Sequence, residues 1–147
     1  MSADFIPHSS AEPDVAAFEP ASSTAPAAPR RPATPAQAEA AAAQIAPRLF
    51  AQAAATDEVG AFPTQEFDWL KKAGLLTAAL PAAMGGAGLD VPAATQPLLH
   101  TLQHIGRGNL AVGRVFEGHL NALLLIQQLG TATQVARYAA DARAGRL

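Results

Sequence analysis

From Ala36 onward the apolar positions recur at helical spacing, and no region reads as β-sheet. Thr34-Pro35-Ala36-Gln37 combines an N-cap, a first-turn proline and a capping-box glutamine ahead of an alanine-rich run of high helix propensity. Pro47 interrupts that run, which predicts a kink near Ile45–Leu49. A second helix is expected over about Thr64 to Ala73, with Phe67 and Leu70 inward and Gly74 as its stop. The apolar run Leu75–Leu80 is expected to be extended. After Asp90, a potential cap, a third helix carries Pro92 in its first turn and Ala94, Leu98, Leu102 and Ile105 on one face, with a bend expected at Pro97. GRGN at Gly106–Asn109 breaks the pattern, and Asn109 is placed to cap the next helix.

That fourth helix, Leu110–Leu129, is apolar almost all round and is expected to be central. Gly130 ends it. Thr131 and Gln134 form a second capping box, opening a last helix with Val135, Tyr138 and Ala142 inward and Arg137 spaced to pair with Asp141. Seven of the twelve prolines lie between Pro7 and Pro35, in an Ala/Pro/Ser-rich stretch unable to bury enough apolar area to offset its ordering entropy. The expected architecture is all-α: a small bundle of about five helices over residues 34–147, preceded by a disordered tail at 1–33.

The chain has 147 residues, a net charge of −2 and no cysteine. That length fits one small domain. The charge gives no reason to expect nucleic acid or an anionic membrane as partner. Without cysteine there are no disulfides and no thiolate metal sites, which suits a cytoplasmic protein. No apolar run is long enough to span a bilayer, and the acidic N-terminus matches neither a secretory nor a mitochondrial leader.

Leu80–Asp90, LPAAMGGAGLD, raises the question of a phosphate cradle. A dinucleotide-binding fingerprint starting at Gly86 finds Gly88 in place but Val91 where its last glycine belongs. No Gly-Lys-Ser/Thr triplet ends a P-loop, and no βαβ pattern surrounds the glycines. Gly85, Gly86 and Gly88 therefore read as a structural connector. His100 and His104, at i and i+4, could face one metal, but they lack both the glutamate of a metalloprotease motif and a third ligand. They read as a polar helix face, and no metal is expected. His119 has no nucleophile at a recognisable spacing. On the fourth helix Arg114, Glu117 and Asn121 share a face at i, i+3 and i+7, with Gly118 beside them. From the pattern alone this row is either a narrow solvated stripe or the lining of a cavity.

Three stretches together resemble the N-terminal helical domain of the acyl-CoA dehydrogenase family. They are IAPRLFAQAAATDEVGAFP (Ile45–Pro63), FDWLKKAGLLTAALPAAMGGAGLD (Phe67–Asp90) and the segment His104–Leu147. The likeness covers about Ala36 to Leu147. It rests on order and spacing: a proline-interrupted helix, an FP-initiated helix, an AGLL exit, a P-x-x-x-GG-x-G loop, an EG-containing helix, and LGT-x-x-Q…RY…GRL. Two departures leave the substrate class open. Met84 stands where the family commonly has an aromatic residue, and GRGNLAVGR replaces the usual region after the third helix.

The resemblance implies a parent enzyme with a β-domain and a C-terminal helical domain beyond this one, FAD lying mainly between those two, and acyl-CoA as substrate in fatty acid metabolism. It also implies a homo-oligomeric parent. The proton-abstracting carboxylate would usually lie in the C-terminal part, so no catalytic residue is assigned here. The chain is expected to be a truncated member or fragment, inactive as a dehydrogenase and unable to hold FAD tightly alone. By the EG match Glu117 and Gly118 become substrate-pocket candidates, and Arg114 and Asn121 join them by helical spacing. The resemblance favours the cavity over the solvated stripe. Alternatives are a flavin-dependent monooxygenase of the same fold and a stand-alone helical interaction module.

Overall fold

The computed structural model describes residues 31–147, which fold into five α-helices with no strand among them. The tail expected at 1–33 lies outside the described residues except for Arg31–Ala33. Of these, Pro32 is buried. A methyl group on Gly74 would come within 2.7 Å of its ring, so the chain enters the domain across the turn that follows the second helix.

Helix α1 runs Pro35–Val59. Thr34 caps it, accepting from the Gln37 amide at 3.3 Å, while Gln37 Oε1 accepts from Ala33 N at 2.8 Å. The return bond of the expected capping box thus lands one residue early. Pro47 is exposed, and the helix is continuous through it. α1 buries Ala38, Ala42 and Leu49 and packs along α3, Thr95–Gly108. At the crossing a methyl on Gly108 would approach the Ala46 carbonyl oxygen to 2.7 Å, so only glycine allows this spacing.

Helix α2, Thr64–Lys72, has Pro63 at its cap position and no side-chain cap. Its entry is fixed instead by Phe62 against Phe67, with ring centroids 5.1 Å apart, a contact in hydrophobic-staple position. Phe67 and Leu70 are buried, and Gly74 adopts φ 73° to turn the chain. Leu75–Thr77 is a 3₁₀ turn, correcting the extended reading. The run is apolar on all sides because it is enclosed, not because it alternates in a sheet: Leu75, Leu76 and Ala78–Leu80 are all buried.

Asp90 does not cap α3. A 3₁₀ turn over Pro92–Ala94 intervenes, and Thr95 Oγ1 donates back to Pro92 O at 2.7 Å. Pro97 falls in the first turn of α3, where the missing N–H removes no intrahelical bond. Asn109 ends α3 and caps α4, Leu110–Leu129, its Oδ1 accepting from Val112 N at 3.2 Å. Only one face of α4 enters the core: Val112, Gly113, Phe116, Leu120 and Leu123. Leu110, Val115, Leu125 and Leu129 are exposed, so α4 is a wall of the bundle rather than its centre.

α5, Ala132–Ala144, opens with the complete capping box of Thr131 and Gln134. It buries Ala139 and Ala142, leaves Val135 half-buried and exposes Tyr138, contrary to expectation. Asp141 pairs not with Arg137 but with Arg146, at 3.0 Å from Nε. The turn at Gly145 brings Arg146 back over the last helical turn, within reach of that carboxylate.

Candidate functional site

The polar row on α4 is one connected group. Arg114 donates to Glu117 Oε2 through Nη1, and Asn121 donates to Oε1 through Nδ2. Spacings of three and four along a helix bring these side chains over one another. Arg114 is open, with its side chain 79% exposed against 31% for Glu117. Asn121 and Gly118 are also exposed, and a methyl on Gly118 would meet nothing within 4 Å. In this chain the four candidates form an open surface. The neighbouring recess on α4, about 320 Å³, is lined instead by Leu125, Ile126, Leu129, Gly130, Gln134 and Tyr138. Gly113 differs from Gly118. A methyl there would come within 2.7 Å of Gly106 Cα, so Gly113 lets α4 close on α3 and offers no opening to a partner.

A second set of polar groups on α4 has a role that the sequence, in which His119 is weighed only as a triad member, does not reveal. His119 Nε2 donates to Leu76 O at 2.7 Å, and Gln127 Nε2 donates to Ala79 O at 2.9 Å. These two residues lie eight apart on one face, with buried Leu123 between them. They tie α4 to carbonyls of the 75–80 turn, which helical bonding does not satisfy. Burial lowers the His119 pKa below its ordinary 6.5, outweighing the opposing pull of the Leu76 carbonyl. The available signal was a polar pair spaced i, i+8 on an apolar face.

The glycine loop does not fit a pyrophosphate. The amides of Gly85, Gly86 and Gly88 already donate to Ala82 O, Pro81 O and Leu80 O, at 3.0, 3.1 and 3.0 Å. A methyl on Gly86 would lie 1.9 Å from the Leu80 carbonyl oxygen, so the loop is closed on its own backbone. Arg143 Nη1 fastens it to α5 through Met84 O at 3.1 Å. The residues present therefore offer no phosphate cradle of their own to a dinucleotide such as FAD. His100 and His104 do not share a ligand. His100 Nδ1 lies 3.0 Å from Glu39 Oε1 on α1, bridging two helices while its side chain stays 37% exposed. Among the described residues no group of three or more His, Asp or Glu side chains converges as a metal site. No described helix is long and apolar enough to cross a membrane.

Comparison with known proteins places this arrangement. Over 47 residues the chain is 45% identical to the L-evernosamine nitrososynthase of a Micromonospora species, covering 32% of this chain and 11% of that protein. The aligned region is therefore a small part of the relative's length. No solved structure matches the chain. The family model described as acyl-CoA dehydrogenase, N-terminal domain, matches residues 34–146, from the cap of α1 to the turn after α5. All five helices fall inside that span, and the chain belongs to the acyl-CoA dehydrogenase N-terminal domain family.

Proposed function

We propose that this chain is the substrate-facing helical domain of an FAD-dependent oxidoreductase that introduces an α,β double bond into an acyl-CoA thioester. The observation that carries the reading is the polar row Arg114–Glu117–Asn121 on α4, a helix with apolar residues on either side of it, within a domain of this family. In the assembled enzyme that face of α4 closes the far end of the acyl cavity, and Gly118 leaves room beside it. The chain's own task is to bind, to set length and to exclude water. Flavin binding and α-proton abstraction fall to the β-domain and C-terminal helical domain, because the glycine loop fits no pyrophosphate.

Two measurements test this. The 147-residue chain, assayed alone with acyl-CoA and an artificial electron acceptor, should give no turnover; robust turnover without another polypeptide overturns the reading. With a β-domain and C-terminal helical domain supplied from a family member, Glu117→Ala should shift relative kcat/KM among acyl chain lengths by about 1–3 kcal/mol of discrimination. Stability should change by under about 1 kcal/mol, as for an exposed ion pair. A flat length profile removes Glu117 from the cavity.

A second reading is favoured by one comparison. The relative's name describes synthesis of a nitroso group, which requires oxygen transfer to nitrogen. On that reading the parent is a flavin-dependent monooxygenase of the same fold acting on an amine. Oxygen uptake with reduced flavin and an amine, without anaerobic acyl-CoA oxidation, distinguishes it from the first.

A further inference from the structure

The row on α4 is chemically richer than a length gauge requires. Glu117 has both carboxylate oxygens engaged by its own neighbours, so charge is balanced within the group. Arg114 donates to Glu117 through Nη1 and its side chain is otherwise open, so the donors on Nε and Nη2 have no protein partner among the described residues. Asn121 donates through Nδ2, and its carboxamide oxygen stays available as an acceptor. Beside them, Gly118 holds no side chain and has nothing packed over it. The surface therefore offers a guanidinium edge and an amide, approachable from the Gly118 side.

A plain hydrocarbon end seated against this surface would strip water from the guanidinium and the carboxamide and return no hydrogen bond. Desolvation of that kind is unfavourable, more so for a charged group. An ammonium-ended tail brings only donors, which Arg114 cannot accept, and Glu117, with both oxygens already engaged, is less free to receive them. A hydroxyl at the end of the tail replaces the lost water on both groups, accepting from Arg114 and donating to the Asn121 carboxamide oxygen. A carbonyl or carboxylate accepts instead from Arg114 and from the second Nδ2 hydrogen of Asn121.

We propose that the end of the substrate remote from the reacting centre carries a hydrogen-bonding oxygen, a hydroxyl, carbonyl or carboxylate, received by Arg114 and Asn121. This rests on the cavity reading given above. It holds for either reaction, since it concerns the far end of the substrate.

The test uses the assembled enzyme, with this chain joined to the β-domain and C-terminal helical domain. Calorimetric binding is measured for hexanoyl- and decanoyl-CoA against their ω-hydroxy, ω-carboxy and ω-amino counterparts, so that it is readable with or without turnover. At one length, an oxygen-ended thioester should bind at least about tenfold tighter than the alkyl one, with the ω-amino form weakest. Comparing hydroxyl with carboxylate separates a neutral from an anionic end. Arg114→Met and Asn121→Leu should each remove most of that preference, weakening the oxygen-ended thioester and tightening the alkyl one, which then has fewer polar groups to desolvate. Arg114→Lys, which keeps a donor, should retain part of it. If Glu117→Ala changes the length profile but the oxygen preference is absent or unmoved by these variants, the cavity stands and the inference falls. If no row variant alters either profile, the cavity reading falls, and the inference with it.

Discussion

Gly118 and His119 are sequence neighbours with opposite surroundings. Gly118 points into open space on the outer face of α4, where a methyl group would touch nothing. Alanine is preferred over glycine in a helix interior by about 1 kcal/mol. Gly118→Ala should therefore raise the unfolding free energy of the chain by up to about that amount in a urea titration. If the face lines a cavity, the same change should narrow the accepted substrates in the assembled enzyme, a gain in stability with a loss of function. His119 points the other way, into the contact with Leu76. Its folded-state pKa is lowered, so between the folded and unfolded values the unfolded chain binds more protons. Its contribution to stability is complete above the unfolded value near 6.5 and declines as pH falls toward the folded one. Urea midpoints measured between about pH 7.5 and 5.5 should fall on acidification, and His119→Gln, which keeps a donor for Leu76, should flatten that slope. An unchanged slope would falsify this assignment.

The elements divide by how local their causes are. The Asn109 cap, the Thr131–Gln134 capping box and the bounds of α4 were legible because each depends on residues within four positions. The 75–80 turn was not, because its apolar run is enclosed by elements distant in sequence, and apolarity alone does not separate a buried turn from a buried strand. The bridges His100–Glu39 and His119–Leu76 span 61 and 43 positions and leave no local trace. At the candidate site, spacing alone made the row legible as a shared face, and the structure adds which atoms meet. The glycine loop marks the same boundary. Its failed fingerprint argued against phosphate, but the reason glycine is needed at 86 lies in the backbone of Leu80. Gly86→Ala must push Leu80 aside and should lower stability by about 1–3 kcal/mol in the same titration, typical of overpacking. A loss below about 0.5 kcal/mol would show that the loop opens freely, contrary to its closed geometry.

Across the described residues, the walls of the bundle are partly apolar outward. Phe50, Leu110 and Leu129 are 71, 79 and 82% exposed, on α1 and at the two ends of α4. Scattered exposure of this kind is ordinary on a soluble surface and does not by itself separate an interaction module from one domain of a larger enzyme. One contact between helices has an optical use. Arg48 on α1 lies with its guanidinium carbon 3.7 Å from the ring centroid of Trp69 on α2, a residue only 7% exposed. Trp69 is the chain's one tryptophan. Its indole emission therefore reports a single helix–helix contact, with no other tryptophan to dilute the signal. Unfolding should red-shift the emission as the ring meets water. Arg48→Ala should change intensity and lifetime in the folded state and lower stability by about 0.5–2 kcal/mol, the range for a cation–π contact from exposed to desolvated. A fluorescence titration of the unmodified chain should thus follow the parting of α1 from α2, ahead of the rest of the bundle if these two helices separate first.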